Sequence, residues 1–148
     1  MNPKKGVFER LESFVLFVRD VRASRAWFER AFSVSPGPVN DHSNLCVIGL
    51  EGTELVLQQM RSGEHPPSIG TAAAYPVFRV TDALALHHDL KAMGVQVGPF
   101  HDGAGRKTFT VRDLDDNRID IVQLVREQRP DVAKMSAAGL TLEPSHKP

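Results

Sequence analysis

Six histidines, a single cysteine and an acidic run around Asp113 are the side chains of this 148-residue chain with the widest chemical repertoire. A zinc or iron site needs several histidines, cysteines or carboxylates converging on one point. His87 and His88 are adjacent, and adjacent side chains on a helix point about 100° apart. They cannot grip one ion, and both are assigned to the solvent flank of their helix. His42, beside Asp41, and His101, beside Asp102, stand in loops and are the two best placed to reach the rim of a site. His65 lies in a proline-bearing loop and His146 close to the C-terminal end. Cys46 falls inside the apolar run L-C-V-I-G-L and reads as a buried hydrophobe, not a nucleophile. Being the only cysteine, it also excludes an internal disulfide framework and a cysteine-built zinc site. Asp113, Asp115, Asp116 and Asn117 suggest a calcium loop, but the full ligand spacing and the closing bidentate glutamate are missing, which leaves turn formation. Gly103-Ala104-Gly105 is a loop that opens no helix, and no nucleophile elbow, P-loop or dinucleotide fingerprint occurs.

The bulk properties narrow the field further. Lys plus Arg and Asp plus Glu are both 18, so the net charge is zero and the basic excess of a nucleic-acid binder is absent. With 41% hydrophobic and 24% charged residues the chain can bury a core of its own. No apolar run approaches the roughly 20 residues of a membrane span, and Met1 to Arg10 lacks the apolar core of a signal segment. These features point to a cytoplasmic globular protein whose partner is a small molecule or another protein, with neither nucleic acid nor membrane involved.

The elements that must position any site follow from local pattern. S-F-V-L-F-V, Ser13 to Val18, reads as a strand buried on both faces. Asp20 can cap the helix that follows over Val21 to Phe32, where Ala23, Trp27 and Ala31 form one apolar stripe. Pro36-Gly37-Pro38 forbids regular structure. Leu45 to Leu50 and Glu54 to Met60 are strands joined by a hairpin turn, and Arg61 to Thr71 is a loop. The order then restarts: a strand over Tyr75 to Val80, a cap at Asp82, and a helix over Ala83 to Met93 that Gly94 ends. Further strands follow over Val95 to Phe100, Lys107 to Val111 and Arg118 to Leu124. Asp20 and Asp82 stand 62 residues apart and mark an internal repeat. The fold class is α+β: two βαβββ modules, 11–62 and 72–125, whose curled mixed sheets enclose a cleft. Residues 1–10 are an N-terminal extension. Residues 126–148 are a polar tail with a short helix near Asp131 to Ala138.

V-R-D-V-R-A-S-R-A-W-F-E-R-A-F, from Val18 to Phe32, resembles the opening strand-to-helix signature of the vicinal oxygen chelate superfamily of glyoxalases, bleomycin-resistance proteins and extradiol dioxygenases. V-T-D-A from Val80, L-K-A-M-G-V from Leu90 and G-R-K-T-F-T-V-R-D-L-D-D-N-R-I-D-I from Gly105 are similar to the signatures of its second module. Phe32-Ser33 replaces the usual leucine-glycine helix end, and Leu114 and Asp116 stand where proline and glycine are more usual. The resemblance implies four cleft positions that hold a metal in the family's metalloenzymes. Here they are Ser13, Tyr75, Asp120 and Val56, with Glu54 and Gln58 as neighbouring alternatives for the last. Of Ser13, Val56, Tyr75 and Asp120 only Asp120 is a good divalent-metal ligand, so no cofactor is expected.

Strand alternation assigns the rest of the cleft. Ser13, Val15 and Phe17, then Glu54, Val56 and Gln58, then Tyr75, Val77 and Arg79, and finally Arg118, Asp120 and Val122 face inward. Leu55, Leu57, Ile119 and Ile121 face the helices. Such a mixed apolar and charged surface suits an organic ligand. Phe17 and Tyr75 would supply stacking, with Arg79 and Asp120, paired across the cleft, and Glu54 setting charge preference. The expected protein is a metal-independent binder of a partly aromatic or cationic small molecule. The resemblance implies a homodimer; the alternative is a metal-dependent lyase, isomerase or dioxygenase with an atypical site.

Overall fold

The computed structural model describes residues 6–64 and 74–125. The first half contains β1 (Ser13–Val18), α1 (Val21–Phe32), β2 (Leu45–Leu50) and β3 (Thr53–Gln59). The second contains β4 (Val77–Arg79), α2 (Ala83–Ala92), β5 (His101–Gly103), β6 (Arg106–Arg112) and β7 (Arg118–Leu124). The sheets have the orders β1-β3-β2 and β4-β7-β6-β5. In each, the opening strand runs parallel to the last strand of its half, and the other pairings are antiparallel. This is the expected α+β class of mixed, unclosed sheets.

Each helix covers one face of its sheet. Asp20 accepts hydrogen bonds from the Arg22 and Ala23 amides at the start of α1, at 3.0 and 3.1 Å. Gln59, at the end of β3, accepts from the Val21 amide at 3.1 Å. The second half repeats the arrangement: Asp82 accepts from Ala85 and Gln123, at the end of β7, from Ala83. The buried stripe of α1 is Val21, Ser24, Trp27, Phe28 and Ala31. Ala23, assigned to the stripe by sequence, is exposed, because Trp27 and Phe28 together set the buried direction. Trp27, Phe28 and Phe32 make mutual ring contacts at 5.0 to 5.8 Å and seat the helix on Leu16, Ile48, Leu55 and Leu57. Phe109, Val111, Ile119 and Ile121 do the same beneath Leu90 of α2.

Three local expectations change. β1 is buried on its helix side only: Leu16 and Val18 are covered, whereas Val15 and Phe17 are 43% and 48% exposed. The first half has three strands, because Pro36 and Pro38 cannot donate to a ladder. Residues 36–40 instead run beside β2 through a bond from Gly37 N–H to the Val47 carbonyl and a bridge between Asn40 and Leu45. The Arg25 guanidinium secures this segment by donating to the Pro36 and Gly37 carbonyls, at 3.0 and 2.8 Å. In the second half the strand assigned to Val95–Phe100 forms instead at His101–Gly103. Pro99 breaks the earlier stretch, which keeps one bridge, Val97 to Val111.

The β6–β7 turn joins the halves. The Asp113 carboxylate accepts from the Asp115 amide, the Asn117 amide and Asn117 Nδ2, at 2.8 to 2.9 Å. Asp115 in turn accepts from the Arg19 amide at 3.0 Å, and Asn117 Nδ2 donates to the Phe17 carbonyl at 3.0 Å. The acidic run is therefore a latch on the end of β1. Burial raises the Asp113 pKa above the ordinary carboxylate value, against the opposing effect of its hydrogen bonds. The tail at 126–148, its expected short helix, His65 and His146 lie outside the described residues.

Candidate functional site

The internal repeat defines which positions correspond. Val15 pairs with Val56 in the first sheet and Val77 with Asp120 in the second, so Val56 is the counterpart of Asp120, with Glu54 and Gln58 one step to either side. The faces turned away from the helices carry Ser13, Phe17, Glu54, Val56 and Gln58 on one sheet. Tyr75, Arg79 and Asp120 belong to the other. The first set is the sparser in chemistry. Gln58 directs Nε2 at the Ser43 carbonyl, 2.9 Å away, and holds the loop before β2. Glu54 is exposed, and Ser13 stands opposite it in the ladder.

The second sheet carries a connected cluster. Asp120 lies between Val77 and Thr110 in one row of the ladder. Its Oδ1 accepts from the Thr110 hydroxyl at 2.9 Å. Arg118, two residues earlier on the same face, donates to both carboxylate oxygens at 2.9 Å. The Arg118 guanidinium lies 3.9 Å from the Tyr75 ring centre, a cation–π contact. Burial pushes the Asp120 pKa up, but the bonds from Arg118 and Thr110 and the charges of Arg118 and Arg112 outweigh it, and the net shift is downward. The hydrogen bond to Asp120, helped by that carboxylate's charge, raises the Arg118 pKa. The expected Arg79–Asp120 pair does not form. Arg79 sits two rows further on, opposite Val122, and Arg118 reaches the carboxylate first along its own strand.

A hollow of about 350 Å³ opens beside this cluster, lined by Gln96, Val97, Gly98, Thr110, Arg112 and Arg118. Sequence alternation places Arg118 on the inward face, but its role is missed, as are those of Arg112, Thr110 and Gln96. The R-x-D spacing of Arg118 and Asp120, which puts both on one face of a strand, is the signal that could have found the pair. A larger and mostly apolar cavity of about 530 Å³ lies between the halves, among helix-facing side chains that include Phe28, Phe32, Ile48, Phe78 and Leu86. Of the residues that sequence alternation turns inward, Val77 and Arg79 line it.

The histidines divide. His87 is not on the solvent flank: Nε2 lies 3.0 Å from the Gly98 carbonyl and the ring packs edge-on against Phe109 and Phe100. His88, His42 and His101 are exposed. Cys46 is fully buried as expected, with burial raising its pKa, and its Sγ faces the Gly37 carbonyl at 3.2 Å. Among the described residues no three His, Cys, Asp or Glu side chains converge on a point, and no helix is long and apolar enough to cross a membrane.

The family model described as Glyoxalase/Bleomycin resistance protein/Dioxygenase superfamily matches residues 10–121. The chain belongs to this superfamily. The antibiotic binding protein TnmS3 from Streptomyces sp. CB03234 is similar in structure, with a TM-score of 0.66 and 18% identity over 81% of this chain and 99% of its own. The fosfomycin resistance protein FosX from Listeria monocytogenes gives 0.65 and 15% over 83% and 99%. Lactoylglutathione lyase from Agrobacterium tumefaciens gives 0.63 and 13% over 80% and 96%. At these identities the likeness shows the superfamily fold alone. No curated protein matches the sequence. Against the four metal positions that the resemblance implies, this chain offers a serine, a valine, a tyrosine covered by a guanidinium, and a carboxylate engaged at both oxygens by Arg118. That donor set does not fit a divalent ion.

Proposed function

We propose that this superfamily member is a cytoplasmic small-molecule-binding protein that works without a metal and holds an organic ligand in a cleft of a homodimer. The Arg118 guanidinium, seated on Tyr75 and held at both oxygens of Asp120, carries the reading. A fixed cation already satisfies the carboxylate that a metal would need. The same pairing argues against base catalysis, since a carboxylate with a lowered pKa is a weak proton acceptor. Apolar side chains accompany the charges on the inner faces: Val15 and Phe17 on one sheet and Val77, 56% exposed, on the other. Apolar walls with a few fixed polar groups suit an organic ligand, and covering them gives a second copy of the chain a reason to associate.

Three measurements on the purified protein test this: metal content, mass in solution, and a thermal-shift screen of antibiotics and aromatic metabolites with and without a chelator. The expected result is a dimer with substoichiometric metal and hits that survive chelation. One equivalent of zinc, nickel, manganese or iron per chain, or hits that vanish with the chelator, would favour the metal-dependent lyase, isomerase or dioxygenase instead. A monomer that still gives the hits would remove the dimer from the proposal.

A further inference from the structure

We infer that the ligand of the inner face is an organic anion, bound through a carboxylate or phosphate group between Arg112 and Arg118. The inference rests on the reading of that face as the ligand site and reverses the charge preference expected from sequence. Arg112 and Arg118 are direct partners in the β6–β7 ladder and share one face. Like charges directly opposite each other across a ladder destabilise it unless something neutralises them. Asp120 spends its two oxygens on Arg118. Arg112 donates to the Asp116 backbone carbonyl at 3.2 Å, and among the described residues no carboxylate lies within ion-pair distance of it. The pair of cations therefore carries one uncompensated positive charge.

The surroundings support the same sign. Arg79 and Arg106 belong to the same face of the sheet, opposite Val122 and Leu124, and His101 is opposite Thr108. The opposing charge on the other sheet's inner face is Glu54. Gln96, Val97 and Thr110 also line the hollow beside the two arginines. The N–H groups that Arg112 and Arg118 do not spend on the Asp116 carbonyl and on Asp120 suit the oxygens of a carboxylate or phosphate, which arginine can bind in a bidentate manner. At about 350 Å³ the hollow accepts a head group and a small apolar body.

Calorimetric titration of the full chain with four probes that share a naphthalene ring tests the charge class. The probes are 2-naphthoate, 1-naphthyl phosphate, 2-naphthamide and 2-naphthylmethylammonium. The expected result is that at least one anion binds ten times more tightly than the amide, with the ammonium weakest and added salt eroding the anion's advantage. The tighter anion identifies the head group. Arg112→Gln should bring the anion-to-amide ratio towards one, and Arg112→Lys should retain part of it. If Arg112→Gln does not fold, the ratio on the unaltered protein decides. Equal affinity for anion and amide, or preference for the ammonium, would overturn the anion assignment and leave the ligand face standing. Anion binding that shifts the Ile48 and Leu86 methyl resonances, and not those of Val97, would overturn the site. Failure of all four probes to bind at millimolar concentration would overturn both the charge class and the reading of this face.

Discussion

Removing the Asp113 carboxylate should loosen the joint between the halves by an amount the geometry sets. Asp113 is 8% exposed and accepts three N–H bonds, from the Asp115 amide, the Asn117 amide and Asn117 Nδ2. Asp113→Ala leaves all three donors without their acceptor. At the lower end of the cost of an unsatisfied group, about 1 kcal/mol each, the loss is about 3 kcal/mol. Relief from burying a carboxylate offsets part of it, for a net destabilisation of about 2 kcal/mol. Asp113→Asn keeps one acceptor oxygen and should cost less than about 1 kcal/mol. Urea unfolding followed through Trp27, the chain's only tryptophan and a buried one, measures both. The linkage adds a signature. Because the folded pKa of Asp113 is raised, its ionisation penalty is absent below the ordinary carboxylate value and grows as pH rises through that range to the raised value. Wild type should therefore gain stability relative to Asp113→Asn between pH 7 and pH 4. If Asp113→Ala is as mild as Asp113→Asn, or the wild-type difference is flat with pH, the latch does not work through this carboxylate.

Ser33 ends α1 in the left-handed conformation, φ 53°. Ser33→Gly should stabilise the protein by about 1 kcal/mol and raise the thermal midpoint by roughly 3 °C; a lower midpoint would refute the strain argument. Phe28 is 2% exposed and central to the aromatic contacts of α1. Phe28→Ala should cost about 3–5 kcal/mol in denaturant unfolding, and a loss under about 1 kcal/mol would mean the helix is not seated as described. The lowered pKa of Asp120 contributes stability that is present above the ordinary carboxylate value and is lost as pH falls through the depressed one. Thermal midpoints of wild type and Asp120→Asn should therefore keep a constant gap above the ordinary carboxylate value and converge below it, and a gap that stays constant into strong acid would contradict the pairing.

Four elements have the bounds that pattern alone assigns: β1, α1, β2 and β7. Each has its periodicity, cap or turn within a few residues, so local rules suffice. Inward and outward alternation also holds at Leu55, Leu57, Ile119 and Ile121, all nearly fully buried. What local pattern misses is set by competition in space. Pro99 removes a ladder donor from a stretch that pattern assigns to a strand. His87 looks like a flank residue until Phe100 and Phe109 arrive from another part of the chain to enclose it. Asp120 has two arginines on inward faces to choose from, and the side-chain reach that favours Arg118 is visible only once the register of β4 against β7 is known. Alternation gives the candidate face and its one acidic residue; that Arg112 stands opposite Arg118 on it emerges only from the β6–β7 register.

Among the described residues every strand ladder closes inside one half of the chain, and side chains of the β6–β7 turn hydrogen-bond across to the end of β1. Loop-closure entropy is then spent over short stretches, which favours quick local assembly. Each half has its own helix, cap and sheet, so refolding should proceed as two kinetic units that meet late. In pulse-labelled exchange, amides of β2–β3 and of β6–β7 would gain protection before the Arg19 amide held by Asp115. A single protection phase shared by all three would show that neither half gathers itself before the other.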